Sequence, residues 1–206
     1  MASHFIVGLD IGTFSTKVAV AEKQKDGRPL LRLIFSEPSQ GLRKGAVIDL
    51  AETSQAVARA LVRVKKFARS AANNIYLTVG TPHIKTQVSR GITAVSRADT
   101  EIYQDDVDRV IRASQAVNLS PNRMIMHNVN REFIVDGVGD ISDPLGLSGN
   151  RLEVNSLIID VFAPHVKSLV RATELSGGQV GGLVLSPLVA GRSALSKSQK
   201  DLGVLL

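Results

Sequence analysis

Near the start of the chain, the stretch VGLDIGTFSTK (residues 7–17) ends an apolar run in an aspartate and a glycine, then continues with hydroxyl side chains and a lysine. A core strand would continue with Val, Ile or Leu, and a surface loop would not begin with such a run. Gly12 lets the backbone approach a ligand closely and adopt torsion angles closed to other residues. Successive N–H groups in a tight turn form a concavity that binds anions. The stretch therefore predicts a strand whose end meets a charged ligand.

The side chains around this glycine indicate that the ligand is a phosphate group accompanied by a metal ion. The turn supplies hydroxyl donors, and the lysine after it supplies a positive charge suited to phosphate oxygens. Asp10 would repel a bare phosphate, and a divalent cation between the two, such as Mg²⁺ held through water, removes that conflict. A polar β-turn in which Asp10 bonds its own backbone is the alternative interpretation. The predicted binding residues are Asp10, Gly12, Thr13, Ser15, Thr16 and Lys17, with Asp10 facing the metal.

Composition limits the classes of protein to which the chain can belong. Its 206 residues are 44% hydrophobic and 21% charged, which is typical of a globular protein with one large domain, or one domain carrying a smaller insertion. It has no cysteine, and its four histidines lie far apart, so neither disulfides nor a histidine metal site is expected. The net charge of +6 permits nucleic acid, anionic lipid or nucleotide phosphate as a partner, but 4% aromatic residues supply few stacking platforms. No export signal or membrane-spanning run is visible, which favours a cytoplasmic location.

Apolar periodicity divides the chain into strands and helices. Asp49 is the predicted N-cap of the first helix, and Glu52, three residues on, completes a capping box. Predicted strands cover residues 5–11, 17–22, 30–36, 74–80, 85–95, 123–135, 152–162, 182–185 and 202–206. Predicted helices follow Asp49 and cover 105–117, the segment between Pro164 and Gly177, and 187–196. A bulge or bend is expected at Gly91 within its strand.

The order of these elements predicts an α/β fold. Outside residues 81–163, three strands able to pair as antiparallel hairpins lead into alternating helices and strands, which is the layout of a ribonuclease-H-like layer with a mixed sheet. Residues 81–163 form an inserted strand-helix-strand-strand module, with a Gly-, Asp-, Ser- and Pro-rich loop before its last strand. In this layout the turn at residues 12–16 lies at an edge of the sheet that ligands can reach.

Four stretches of the sequence resemble known proteins. IVGLDIGTFSTKVAVAE (residues 6–22) is similar to the first phosphate motif shared by actin, heat-shock chaperones and sugar kinases. GLRKGAVIDL (41–50), YLTVGTPHI (76–84) and DPLGLSGNRLEV (143–154) together resemble the FtsA family of bacterial cell-division proteins. The resemblance implies an actin-type fold, in which residues 1–80 and 164–206 are subdomain 1A and residues 81–163 are the inserted, SHS2-like subdomain 1C.

The resemblance also implies a function. Members of that family bind ATP with Mg²⁺, polymerise on the inner face of the cytoplasmic membrane, anchor FtsZ filaments there and recruit later division proteins. Neighbouring subunits and the later proteins contact the insertion, here residues 81–163, and no nucleic-acid partner is expected. The chain stops at DLGVLL, where the second phosphate motif would begin, so FtsZ and the membrane would be bound by parts outside it. For this chain alone we expect weak or absent ATP binding, because half of the cleft's donors are missing.

Catalysis is not expected from this chain, and two other functions stay open as alternatives. Relatives that hydrolyse ATP well carry a Glu or Gln in the segment that here reads LVLSPLVAG, where Ser186 and Pro187 stand instead. A complete molecule is therefore expected to be at most a weak ATPase, with no catalytic residue in this chain. A pilus-assembly adaptor of the PilM type is the first alternative. A ribonuclease-H-like nuclease that begins its carboxylate cluster with Asp10 and Glu52 is the second.

Overall fold

The computed structural model of the chain describes residues 4–81 and 83–205. The strands, in chain order, are β1 (Phe5–Ile11), β2 (Ser15–Lys23), β3 (Pro29–Pro38), β4 (Leu42–Arg43), β5 (Ala46–Val47), β6 (Ile75–Val79), β7 (Lys85–Ala94), β8 (Arg123–Val135), β9 (Val138–Ile141), β10 (Arg151–Phe162) and β11 (Val180–Leu185). The helices are α1 (Leu50–Phe67), α2 (Gln104–Ser114), α3 (Ala163–Leu175), α4 (Ser186–Ala194) and α5 (Lys197–Leu202), and a 3₁₀ helix covers Arg69–Asn73. The chain divides into two compact units: unit 1 contains Met1–Pro82 and Ala163–Leu206, and unit 2 contains His83–Phe162.

Unit 1 is built on a five-stranded mixed sheet, as the element order predicts. Its strand order is β11-β6-β1-β2-β3. The strand β2 pairs antiparallel with both β1 and β3, whereas β1, β6 and β11 run parallel. Because these three strands are parallel, their carboxyl ends lie at the same edge of the sheet, and the turn that follows β1 lies there too.

Alternation along β1 produces the core of unit 1. Val7, Leu9 and Ile11 are buried on one side of the sheet, and α1 packs against this core with residues spaced by three and four. The buried α1 residues of the core are Val57, Ala60, Leu61 and Val64. A slip of one residue would expose the apolar side chains of β1, so their burial fixes the register of the strand. That register in turn fixes the position of Asp10, one residue before the end of β1.

The first helix begins at the predicted cap. The Asp49 side chain accepts a hydrogen bond of 2.9 Å from the backbone N–H of Glu52, which satisfies one of the unpaired donors at the start of α1. Among the described residues, the Glu52 side chain makes no return bond to the backbone of Asp49. The capping box predicted here is therefore only half formed.

Unit 2 is a four-stranded antiparallel sheet in the order β7-β10-β8-β9, with α2 packed on β7 and β10. Its core is a separate cluster formed by inward residues of α2, of the long strands β8 and β10, and of the connection between β7 and α2. The buried members are Val95, Ile102, Val107, Val110, Phe133, Val135, Leu152 and Val154. The buried face of α2 recurs at Val107 and Val110, as its periodicity predicts.

Charged side chains secure the start of α2. The buried carboxylate of Asp106 accepts hydrogen bonds from the backbone N–H of Tyr103, at 3.0 Å, and from the guanidinium of Arg97, at 2.7 Å. Arg97 also binds Asp105, and this hydrogen bond holds the pKa of the Asp105 carboxyl below its ordinary value. A negative charge at a helix N-terminus is favourable, so the pair of aspartates stabilises this end of α2.

The strand predicted at residues 202–206 is wrong. Residues 197–202 form α5, Gly203 to Leu205 have no regular structure, and Leu206 lies outside the described residues. The reason is a capping box: Ser196 Oγ accepts from the N–H of Gln199, and the Gln199 side chain accepts from the N–H of Ser196. This box begins a helical turn just before the apolar residues from which a strand was predicted.

The prediction that Gly91 marks a bulge or bend is also wrong. The strand β7 pairs with β10 without a register shift at Gly91, which lies opposite Val154. A Cβ atom on Gly91 would lie 2.2 Å from the carbonyl oxygen of Val110 and 2.7 Å from the backbone nitrogen of Ser114. The glycine is therefore needed because the backbone of α2 passes directly over this position.

The loop predicted between β8 and the last strand of unit 2 contains one more strand. The short strand β9 pairs with β8 through a turn at Asp136 and Gly137, whose φ angles are +45° and +90°. An Asp-Gly pair with positive φ at both residues is typical of a two-residue hairpin. The predicted strand-helix-strand-strand module thus gains a short fourth strand, for which the sequence held a recognisable signal.

Candidate functional site

The predicted phosphate turn is the hairpin connection between β1 and β2. Asp10 and Lys17 lie opposite each other in the strand pairing, and the Lys17 Nζ atom lies 3.1 Å from Asp10 Oδ2. The Thr78 hydroxyl, from the neighbouring parallel strand β6, donates to Asp10 Oδ1 at 2.6 Å. Both carboxylate oxygens of Asp10 are thus oriented at the carboxyl edge of the sheet, and the side chain keeps 37% exposure.

The middle of the turn is open to solvent. The N–H of Gly12 donates to the carbonyl of Ser15 at 3.2 Å, which closes the turn. Thr13 and Phe14 are exposed, Phe14 to 92%. In the part of the chain that the structure describes, the backbone N–H groups of Thr13 and Phe14 donate to no protein acceptor. The turn therefore offers two free main-chain donors beside the charges of Asp10 and Lys17.

Gly12 serves close approach rather than an unusual torsion angle. It is not among the residues with positive φ, so the prediction that it adopts a conformation closed to other residues is wrong. A Cβ atom on Gly12 would lie 3.1 Å from the carbonyl oxygen of Ser15, which is tighter than an ordinary contact. The missing side chain lets the two arms of the turn come together.

Thr16 has a hydrogen-bond partner within the protein. Its side chain is fully buried, and Thr16 Oγ1 and Ser39 Oγ share a hydrogen bond of 2.8 Å. The Thr16 hydroxyl is thus engaged with Ser39 in this structure, and its donation to a phosphate stays a prediction. Ser15, one residue earlier, is half-buried and begins β2.

A second hairpin, which sequence reasoning did not assign to the site, contacts the turn. The strands β4 and β5 are joined by Lys44 and Gly45, whose φ angles of +49° and +77° fit the positive-φ pair of a two-residue hairpin. The N–H of Gly45 donates to Thr13 Oγ1 at 2.8 Å. The exposed side chains of Arg43 and Lys44 belong to this hairpin. The stretch GLRKG carried the signal, because a Lys-Gly pair between short apolar flanks is compatible with such a turn.

The Gly45–Thr13 contact leads to a testable prediction. Replacing Thr13 by valine removes the acceptor for the Gly45 N–H, and we expect the free energy of unfolding to fall by about 1 kcal/mol. Replacing Thr13 by serine keeps the hydroxyl and should restore most of that loss. Urea denaturation of the two variants and the unaltered chain measures the difference. Equal losses in both variants would contradict a role for the hydroxyl.

The ends of β6 and β11 complete the same edge of the sheet. A Cβ atom on Gly45 would lie 3.1 Å from the carbonyl oxygen of Gly80, and one on Gly80 would lie 3.2 Å from Ser186 Oγ. The Ser186 hydroxyl is buried and has no hydrogen-bond partner within the described residues. It is also the first residue of α4, whose N-terminal backbone donors face this edge. Backbone from four segments therefore converges beside the turn.

The carboxylates at this edge do not form a metal cluster. Within residues 4–81 and 83–205, no group of three or more His, Asp or Glu side chains is close enough to hold an ion. Glu52, the second carboxylate of the nuclease alternative, is exposed near the start of α1, where its N–H is held by Asp49. Two-metal cleavage needs several converging acids, so this geometry does not favour a nuclease.

Comparison with known proteins agrees with the resemblance of the sequence motifs. Residues 81–160 match the family described as the SHS2 domain inserted in FtsA. The chain is 36% identical over 204 residues, 99% of its length, to the cell division protein FtsA of Bacillus subtilis. It is 30% identical over 199 residues, 97% of its length, to that of Escherichia coli K12. The chain covers 46% and 47% of those two proteins, so it spans about half the length of these relatives.

A solved structure supports the fold. The PilM–PilN type IV pilus biogenesis complex contains a chain that is similar to this one with a TM-score of 0.57, over 91% of this chain and 49% of that chain. The sequence identity is 14%, so the likeness shows the fold alone and does not favour a pilus function. Across the described residues, no helix combines the length and the apolar character that crossing a bilayer requires.

These observations define the class of protein. A five-stranded mixed sheet that carries an SHS2 module between its β6 and β11 strands is an actin-type α/β fold, and the predicted fold class is confirmed. Over essentially its whole length the chain is similar to about half of the cell division protein FtsA, and its inserted module matches the SHS2 domain of that family. The predicted relationship to FtsA is likewise confirmed.

Proposed function

We propose that unit 1 supplies one wall of a Mg-ATP site, with the turn after β1 cradling the phosphate groups. The observation that carries this proposal is the open turn itself: the backbone N–H groups of Thr13 and Phe14 are unpartnered among the described residues and lie beside Lys17. Exposed donors that the protein itself leaves unpaired are available to a ligand at this edge. The buried, unpartnered hydroxyl of Ser186 at the same edge supports a polar ligand there.

Each residue of the turn has a distinct part in this proposal. Asp10 would hold Mg²⁺ through water, and the ion would neutralise phosphate charge when bound. Lys17 lies within 3.1 Å of Asp10 and would interact with the phosphate oxygens directly.

The Thr13 hydroxyl oxygen accepts a hydrogen bond from the Gly45 N–H, so the hydroxyl hydrogen stays available to a ligand. The hydrogen bond between Gly12 and Ser15 closes the turn, and the hydrogen bond between the Thr16 and Ser39 hydroxyls holds the start of β2 in place.

For the complete protein we propose the cell-division role of FtsA. Its relatives are named cell division protein FtsA, and the chain spans about half their length. The proposed role comprises ATP binding, polymerisation at the inner membrane, anchoring of FtsZ filaments and recruitment of later division proteins through residues 81–163. Hydrolysis by a complete molecule would be slow, because the β11–α4 connection has Ser186 and Pro187 in place of an acid or amide. This chain alone would bind Mg-ATP weakly, with a dissociation constant of about 1 mM or weaker.

The proposal is tested by following the backbone amides of residues 12–16 by NMR while Mg-ATP is added. We expect shifts confined to the turn, the β4–β5 hairpin and the start of α4, and we expect Asp10→Ala to abolish them. Asp201→Ala, which removes an exposed carboxylate on α5, is the matched control and should respond like the unaltered chain. Shifts that persist in Asp10→Ala, or that arise elsewhere, would contradict the proposal. A micromolar constant for this chain would contradict the one-wall expectation.

Thermal unfolding without nucleotide separates a binding role of Asp10 from a structural one. Asp10→Ala removes a partly exposed ion pair with Lys17 and a hydrogen bond from the Thr78 hydroxyl, so it should cost about 2 kcal/mol or less. A loss of several kcal/mol in Asp10→Ala would show that the residue supports the fold.

A further inference from the structure

The positive charge of the chain belongs to unit 1. Unit 1 has 17 basic and 8 acidic residues, which gives a net charge of +9, whereas unit 2 has 8 basic and 11 acidic residues, which gives −3. The phosphate turn accounts for little of this excess, because Lys17 is paired with Asp10. Most of the positive charge of unit 1 therefore lies outside the phosphate turn.

Five of these cations lie at the edge of the sheet opposite the phosphate turn. The strand β2 ends at Lys23, beside the start of β1, because Glu22 pairs with Phe5. The ring of Phe67, the last residue of α1, contacts the ring of Phe5 with centroids 5.8 Å apart, which places the end of α1 at the same edge. We call the following five residues the basic edge: Lys23, Lys25, Lys65, Lys66 and Arg69.

The cations of the basic edge are not neutralised by the protein. Within the described part of unit 1, Arg28, Arg32 and Arg63 have carboxylate partners, but no member of the basic edge forms an ion pair. The acids next to Lys23 and Lys25 in sequence have other partners: Arg32 binds Glu22 at 3.0 Å, and Arg28 binds Asp26 at 3.8 Å. Lys65 and Arg69 line a surface depression together with Gly177, and a Cβ atom on Gly177 would lie 2.8 Å from Lys65 Nζ. Gly177 has φ +76°, which favours glycine at this position, and the absence of a side chain leaves room there for the Lys65 ammonium group.

Apolar side chains are exposed among these cations. Phe67 lies between Lys66 and Arg69 in sequence and is 45% exposed. Val62, which is 50% exposed, precedes Lys65 and Lys66 by three and four residues and therefore lies on their side of α1. Cations mixed with exposed aromatic and aliphatic side chains suit the boundary between lipid headgroups and acyl chains, where the charges meet anionic headgroups and the apolar groups enter the membrane. A nucleic acid or an acidic peptide would account for the charges but not for the exposed apolar residues.

We propose that the basic edge and Phe67 form a contact surface for membranes rich in anionic lipid. The proposal is independent of the nucleotide site, which lies at the opposite edge of the sheet. It also differs from the membrane contact expected through a helix outside this chain. A single such surface binds reversibly, so its contribution is additive to any other anchor.

Co-sedimentation of the chain with vesicles tests the proposal. With vesicles of 70% phosphatidylcholine and 30% phosphatidylglycerol we expect binding that weakens as salt rises, and with pure phosphatidylcholine we expect none. Each basic residue near such a surface is worth about a fivefold change, so Lys65→Gln, Lys66→Gln and Arg69→Gln together should weaken binding about 100-fold.

The matched control removes three cations from α4 and α5, which follow the opposite edge of the sheet. The control substitutions are Arg192→Gln, Lys197→Gln and Lys200→Gln. This control has the same net charge as the triple variant, and we expect at most a few-fold weaker binding. Equal losses in the two triple variants would overturn the proposal, because the binding would then follow net charge and not this surface.

Phe67 distinguishes a membrane from a soluble polyanion. Phe67→Gln should weaken vesicle binding about fivefold, and Phe67→Leu should restore most of it, because the contact depends on apolar area. Neither change should alter binding to inorganic polyphosphate or to a DNA duplex. Unchanged vesicle binding in Phe67→Gln, or polyphosphate or duplex binding as tight as vesicle binding, would overturn the membrane proposal in favour of a soluble polyanion. Circular dichroism of every variant confirms that the fold is retained.

Discussion

Replacing Asp160 by alanine is expected to lower the free energy of unfolding of unit 2 by about 3–5 kcal/mol. Asp160 on β10 and Arg123 at the start of β8 form an ion pair whose side chains are 4% and 9% exposed. The Arg123 guanidinium also donates at 2.9 Å to the carbonyl oxygens of His83 and Asp160. Removing the carboxylate leaves a buried guanidinium without its counter-charge, which costs much more than the pair itself contributes.

The double variant Arg123→Met with Asp160→Leu is the control for this prediction. It removes both charges and fills the space with apolar atoms, so its free energy of unfolding should lie much closer to that of the unaltered chain. Hydrogen exchange of the β8 and β10 amides reports on unit 2 directly. A loss below about 1 kcal/mol in Asp160→Ala would indicate that water reaches the guanidinium and compensates it.

Replacing Gly91 by alanine should destabilise unit 2 by about 3 kcal/mol or more. The added methyl group would lie 2.2 Å from the carbonyl oxygen of Val110 and 2.7 Å from the backbone nitrogen of Ser114, both backbone atoms of α2. No side-chain rotation relieves such a contact, so either α2 or β7 must move. We expect the same hydrogen-exchange measurement to show lost protection across both elements.

Gly8→Ala is the matched control, because Gly8 also lies within a paired strand and its added methyl group would lie 3.9 Å from the nearest atom, the carbonyl oxygen of Ala19. We expect it to change stability by less than about 1 kcal/mol. Equal effects of the two substitutions would contradict the close approach of α2, since both would then reflect only the replacement of a strand glycine.

Local patterns were enough to predict most of the fold. The bounds of β1 and β8 match the predicted strands, because each is a segment rich in apolar residues that ends at turn residues. The cap at Asp49 was predictable from residue types alone. Gly91 shows the limit: a glycine in a strand indicates a bend or a close approach, and only the position of α2 distinguishes them.

The candidate site was predictable in its centre and not at its margins. Asp10, Thr13 and Lys17 lie together because they share one hairpin, which the sequence reveals directly. The Thr16 hydroxyl is bound by Ser39, which lies beyond β3 in the sequence. Thr13 is bound by Gly45, which is 32 residues further along the chain. Such partners are brought together only by tertiary packing, so no pattern within the turn could have indicated them.

The β4–β5 hairpin is fastened at both ends, and this has a mechanical consequence. Its tip is tied to the turn after β1 through Gly45 and Thr13, and at its base the carbonyl of Gly41 accepts from the N–H groups of Ile48 and Asp49, where α1 begins. Gly41 itself has φ +74°, and a Cβ atom there would lie 2.4 Å from the Asp49 carbonyl oxygen. The hairpin therefore connects the turn to the start of α1 through hydrogen bonds at both of its ends. A ligand that displaces the turn would also displace the start of α1.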